Sequence, residues 1–306
     1  MEAARTAKDE RRVGTATRPE GNPPGRLVVR TAALLSVCAA VALVNWGTAS
    51  ALFHLSRDDA TASHLILIPL VTVALIFQER DRIFTRVRTD WAAGLTVMIA
   101  GVAVLATRWS GAASLSSSVA GIVLLWIAGF LLVYGREAGK AALFPLLFLA
   151  FTIPIPAVLL GWAVRFLKQG STEMVDALFA LTGTTYHREG FVFTLPTVSI
   201  EVADECSGIR SSIALLLTTL LAGHTFLRTG WKKAVLVAAI VPLTILKNGI
   251  RIVGLTLLAV HVNPSFLTGQ LHHEGGIVFF VMALLMLEPL FYLLRKSEPG
   301  YRRRAT

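Results

Sequence analysis

Apolar residues gather into eight runs along this chain, at about 31–54, 64–78, 91–107, 113–134, 141–163, 209–227, 234–260 and 276–294, with short polar segments between them. Most of these runs reach or approach the ~20 residues that carry an α-helix across the hydrocarbon core of a bilayer. The pattern predicts an all-α membrane protein with about eight transmembrane helices. Two stretches complicate it. In the fifth run, Pro154 and Pro156 remove backbone donors and disfavour helix in the residues before them, so that crossing ends or kinks there. The segment from Pro156 to Glu205 then shows two periods in turn. From Trp162 to Leu181, Arg165, Lys168, Gln169, Glu173 and Asp176 are set among apolar positions, which predicts an amphipathic helix lying at the interface. Farther on, Phe191, Phe193 and Leu195 alternate with polar neighbours, and so do Val198, Ile200 and Val202, with Pro196 and Thr197 between the two sets. That period of two predicts a short β-hairpin before the sixth transmembrane helix.

Composition supports lipid as the solvent. The 306 residues are 54% hydrophobic and only 16% charged, with a mean hydropathy of +0.65, more apolar than a water-soluble core of this length requires. The formal charge of +10 does not point to nucleic acid, because the basic residues sit in clusters between apolar runs instead of along one polar face. They read as topology signals. Twenty-one Lys and Arg fall on one side of the predicted crossings, and the loops of the other side hold Arg57, Arg108, Arg165, Lys168 and Arg188. The positive-inside rule places both termini in the cytoplasm. Residues 1–30, polar and rich in Arg, Gly and Pro, read as a disordered cytoplasmic tail, 31–294 as one polytopic membrane domain, and 295–306 as a basic cytoplasmic tail. The interfacial helix and hairpin then lie on the extracytoplasmic side.

Three polar features interrupt the apolar pattern on that outer side. Cys206, in ECSGIRSS at 205–212, stands where an acid-rich segment passes into an apolar run. A cysteine at the first turn of a helix meets unpaired N–H groups and the positive end of the helix dipole, which favour thiolate. The plain alternative is a small residue that merely opens a membrane helix. Arg251 lies inside LKNGIRIV at 246–253, where a charge at membrane depth costs at least ~2.5–3.5 kcal/mol and so points to a polar interior or a reacting group. Asn248 and Gly249 before it permit a local helix break. Lys247, one turn earlier, is either a second site cation or a partner for Glu201, Asp204 or Glu205. His272 and His273 open LHHEGGIVFF at 271–280, and imidazole can serve as base and then acid near neutrality. A metal site built from His272, His273, Glu274 and His261 is disfavoured, because adjacent helical side chains diverge by about 100°. Cys38, deep in the first run, reads as a buried inert residue out of disulfide reach of Cys206, and Glu288 as a partner for a basic interfacial side chain.

The ordered set ECSGIRSS, NGIR ending at Arg251 and HHEGG beginning at His272 resembles the exosortase/archaeosortase family of polytopic membrane cysteine transpeptidases. SHLILIP at 63–69, IPIP at 153–156 and GFVFTLP followed by IEVADECSG add to the resemblance, which spans roughly residues 31–294. The family's His-x-x-x-Gly spacing selects His272 over His273 through Gly276. The resemblance implies catalytic Cys206, Arg251 and His272, with no metal or other cofactor. It also implies, as substrates, exported proteins with a C-terminal sorting signal made of a Pro-containing motif, a transmembrane helix and a basic cluster. Cleavage on the outer face of the cytoplasmic membrane would pass through a thioester resolved by an acceptor amine or by water. A reading from another class is a non-enzymatic transporter or assembly component for exported polysaccharide, in which Arg251 and Lys247 bind an anionic substrate.

Overall fold

The structure is a computed structural model that describes residues 24–59, 61–85, 87, 90–111, 114–204, 208–263, 265 and 276–298. The chain divides into two compact units, Met1–His54 with Leu65–Ile153, and Leu55–His64 with Pro154–Thr306.

Each of the eight apolar runs is helical. The first is split at Asn45 into α1 (Pro24–Val44) and α2 (Trp46–Asp58). Proline suits the first turn of α1, where its missing N–H has no helical partner. In the first unit, α3 (Leu67–Gln78), α4 (Trp91–Ala106), α5 (Leu115–Ala141) and α6 (Leu143–Phe148) follow. The side chain of Asp90 caps α4 by accepting from the Ala92 and Ala93 amides, and Ser114 with Ser117 forms a capping box for α5. Helices α4 and α5 approach closely at small residues. A Cβ added to Gly101 would stand 3.2 Å from the Gly121 carbonyl oxygen, and one added to Gly121 the same distance from that of Gly101. Near the cytoplasmic end predicted for α5, Phe130, Tyr134, Ala138, Ala142 and Leu146 pack with Ile83. Arg108 donates to Asn45 Oδ1 at 2.9 Å, Thr48 Oγ1 at 2.6 Å and Ser118 Oγ at 3.2 Å. This fork fastens the α1–α2 break to the start of α5.

In the second unit, α7 (Ala157–Leu181) begins directly after Pro156, so the interfacial helix extends five residues ahead of its expected start at Trp162. Its Val158, Leu159, Trp162 and Phe166 stay exposed, an apolar face suited to lipid. The expected hairpin is present as Val192–Thr194 and Ser199–Glu201, paired antiparallel with Phe193 opposite Ile200. A third strand, His187–Glu189, adds to it across the Gly190 turn. In chain order these strands are β1 (187–189), β2 (192–194) and β3 (199–201). β1 escapes sequence patterning because His-Arg-Glu has no apolar alternation. Phe193, Leu195 and Val202 are buried with Val175 and Phe179 of α7, which sets the small sheet on that helix. Then come α8 (Ile209–Phe226), α9 (Gly230–Ala238), α10 (Ile240–His261) and α11 (Gly276–Lys296).

Among the described residues, five helical segments are long and apolar enough to cross a membrane, six if Leu143–Thr152 and Ala157–Leu181 count as one broken span. Helices α3 and α4, at 12 and 16 residues, rise only ~18 and ~24 Å at ~1.5 Å per residue and fall short of a ~30 Å core. The expectation of eight full crossings is therefore met in part. Exposed Leu35, Leu43, Leu70, Val73, Ile99 and Leu285 lie on the helices. So much outward apolar surface is that of a multi-pass membrane protein.

Candidate functional site

Within α10 the residues Thr244, Lys247, Asn248 and Arg251 fall at i, i+3, i+4 and i+7, the spacing of one helical face. They form a polar stripe in an otherwise apolar helix. Thr244 and Lys247 are each 2% exposed and Asn248 is fully buried. Helix α10 is continuous from Ile240 to His261, so the expected local break at Asn248–Gly249 does not occur. Gly249 instead permits contact with α7: a Cβ there would collide with Met174 Cγ, and one on Gly170 of α7 would lie 2.6 Å from Ile245 Cδ1. This close approach lets the buried Asn248 Nδ2 donate to Ser171 Oγ at 2.9 Å.

The same stripe meets the start of α8. Lys247 Nζ donates to Ser211 Oγ, and Ser211 in turn donates to the Gly208 carbonyl at 2.9 Å. Gly208 opens the helix at φ 78°, ψ 10°, a conformation that favours glycine. A Cβ at that position would stand 3.4 Å from Asn248 Oδ1 and 3.5 Å from Lys247 Nζ. Two residues on the other side of Cys206, Asp204 accepts from Lys168 Nζ of α7 at 3.0 Å, and that ammonium also lies 4.5 Å from the Phe191 ring centre. Farther along α7, Arg188 from β1 clasps Glu173 at 2.6 and 3.1 Å and approaches Asp176 at 3.5 Å. Both flanks of the Glu205–Ser207 stretch are thus held, one by α7 and the other by α10.

Of the three expected catalytic residues, the structure describes Arg251. Its guanidinium carbon lies 5.7 Å from the ring centre of Phe279, in the first turn of α11, within the ~6 Å reach of a cation–π contact. Cys206 and His272 lie outside the described residues, as do His273, Glu274 and Glu205. Lys247 forms no ion pair with Glu201 or Asp204: Asp204 is engaged by Lys168, and the ammonium's hydrogen-bond partner is Ser211. Glu288 is exposed and likewise forms no ion pair among the described residues. Cys38 is half-buried, not buried, and is unpaired. No metal-holding group of His, Cys, Asp and Glu occurs among the described residues.

Sequence reasoning missed the roles of Ser171 and Ser211. Ser211 stands in the ECSGIRSS motif without an assigned function, and Ser171 lies within the amphipathic pattern of α7. The available signal was a small hydroxyl beside Gly170, the point where a second helix can come close.

The family model described as Transmembrane exosortase matches residues 46–288. No curated protein and no solved structure gives a match.

Proposed function

Because the chain belongs to the transmembrane exosortase family, we propose that it is a membrane cysteine transpeptidase or protease acting on C-terminal sorting tails of exported proteins. Cys206 is the nucleophile in this reading. Its thiolate attacks a peptide carbonyl carbon, the C–N bond breaks, and the departing amine takes a proton from His272, leaving a thioester. An acceptor amine or water then attacks the thioester carbon, gives up a proton to His272 and releases the thiolate. Arg251 stabilises the oxyanion of each tetrahedral intermediate, a strong effect for a fixed cation where little water competes. No cofactor enters this scheme.

The observation that carries the reading is the anchoring of both flanks of Cys206 beside the polar stripe that contains Arg251. Asp204 is fastened to α7 and Gly208 is linked to α10 through Ser211 and Lys247, while Arg251 reaches the first turn of the helix that follows His272. A nucleophile whose flanking residues are held beside a helix that carries a buried ammonium and a half-buried guanidinium would be preorganised for charge development. The reaction is placed at the outer face of the cytoplasmic membrane, the side opposite most of the basic residues.

The test is processing of a tagged exported protein that bears a candidate sorting tail, followed in host membranes at matched expression. Cys206→Ala, His272→Ala and Arg251→Ala each lose processing by at least about a hundredfold, whereas His273→Ala retains it. Unchanged processing in Cys206→Ala would remove thiol chemistry and favour a non-enzymatic transport or assembly role.

A further inference from the structure

The small sheet of the second unit leaves one strand edge open. Where β2 pairs with β3, the Leu195 amide donates to the Val198 carbonyl at 2.8 Å and the Val202 amide to the Phe191 carbonyl at 3.0 Å, with Phe193 opposite Ile200 between them. Backbone groups of an antiparallel strand point to alternate sides, so those of Val198, Ile200 and Val202 face β2 and those of Ser199 and Glu201 face away. β3 ends the strand order, and Ser199 and Glu201 are both exposed. The Glu201 carbonyl accepts from the Ala203 amide at 3.0 Å. The Ser199 N–H and C=O and the Glu201 N–H have no hydrogen-bond partner among the described residues.

The opposite edge is guarded. β1 reads His-Arg-Glu, with His187 Nε2 3.3 Å from Glu189 and Arg188 clasped by Glu173, and charges of this kind keep other chains from pairing with a strand edge. β3 carries one charge, that of Glu201, which forms no ion pair among the described residues. The open edge also runs beside the polar stripe of α10. Val202, directly after β3, is buried in one cluster with Val253, and Ile200 and Ile252 pack against that cluster. Ile252 and Val253 follow Arg251 in the chain.

We propose that β3 is the docking edge for the peptide substrate: an extended segment of the exported protein adds to the sheet as a further strand beside Ser199–Glu201. This rests on the peptide-enzyme reading above. Main-chain hydrogen bonds to the Ser199 N–H and C=O and the Glu201 N–H hold the segment, and its alternate side chains carry selectivity. A side chain on the Ile200 face extends the apolar cluster of α7 and α10. One on the other face lies beside the Glu201 carboxylate. The segment that fits is therefore extended, apolar at one position and basic at the neighbouring one.

The probe is a tagged exported protein bearing a candidate sorting tail that the wild-type chain processes. It is captured by the full-length Cys206→Ala chain in lipid nanodiscs and recovered by its tag. Glu201→Pro, added to Cys206→Ala, removes an outward amide and spares the ladder to β2, since proline is tolerated where the N–H of an edge strand faces out. It should weaken capture about tenfold at an unchanged melting temperature, while His187→Ala on the guarded edge captures like the parent. Parental capture by folded Glu201→Pro overturns the proposal. A second measurement needs no proline. Cys38→Ala/Cys206→Ala removes both native thiols, so Ser199→Cys then carries the single one. Cysteines moved along the tail should form disulfides with it at alternate positions, the period of a strand. Disulfides at every third or fourth position, or none, overturn the proposal. Disulfide-linked dimers of the chain itself without tail adducts assign the edge to a second copy and overturn it equally. If Cys206→Ala still processes the tail, the enzyme reading itself fails. If it is inactive while Glu201→Pro captures like its parent, only the docking edge fails.

Discussion

Glu298 shows how much a single side chain contributes near the C-terminal end of the described chain. Its carboxylate accepts from the Arg228 amide at 3.2 Å, from the Thr229 amide at 3.1 Å and from Thr229 Oγ1 at 3.0 Å, with Lys232 Nζ 3.8 Å away. Desolvation pushes its pKa up, but the hydrogen bonds to Thr229 and Arg228 and the charge of Lys232 outweigh this and hold it below its ordinary 4.5. A folded pKa below the unfolded one means that the stabilisation is complete above about 4.5 and is lost as pH falls through the folded value. Glu298→Ala, which leaves the 4%-exposed Lys232 without its carboxylate, should destabilise the second unit by about 3 kcal/mol. Thermal melting between pH 7 and 3 checks this, since the variant should also lose part of the parent's acid sensitivity. Sequence alone placed Glu298 in a basic tail, because a carboxylate's partner seventy residues away leaves no local signature.

Glycines decide which helices can come close enough to build the site. Gly170 of α7 receives Ile245, and Gly249 of α10 receives Met174; between these contacts Asn248 reaches Ser171. Gly249→Leu should force α7 and α10 apart, break that hydrogen bond and cost about 1–3 kcal/mol of stability. Tail processing should fall more steeply than stability does, which parallel melting and cleavage assays would show. From sequence, Asn248–Gly249 reads as a helix breaker, since glycine has low helix propensity. Packing overrides this propensity, because the missing side chain makes room for Met174. The sheet divides in the same way. Strands β2 and β3 are legible from alternation, whereas β1 forms because the Gly190 turn, φ 62°, brings it alongside β2 and Arg188 pairs with α7.

Exposed apolar residues along the helices, such as Leu35, Val73, Ile99 and Leu285, make the molecule a multi-pass membrane protein, and the distribution of basic residues carries the orientation proposed for it. In Cys38→Ala/Cys206→Ala membranes, a cysteine replacing the exposed His187 of β1 should react with a membrane-impermeant maleimide from outside. One replacing Lys233 in α9 should react only after the membrane is opened. The reverse pattern would invert the chain and move the candidate site to the cytoplasmic face.

By itself the sequence determined the membrane class, the eight helical runs, the proline break and the hairpin. Each of these follows from local period, local composition or a short motif, which a linear chain expresses directly. Only the tertiary structure decided that two runs are too short to span a core unaided, that Lys247 turns to Ser211 and not to Glu201 or Asp204, and that Ser171 supports Asn248. Those choices depend on which helix lies beside which and how closely their backbones approach, and that proximity is fixed by packing among residues distant in the chain.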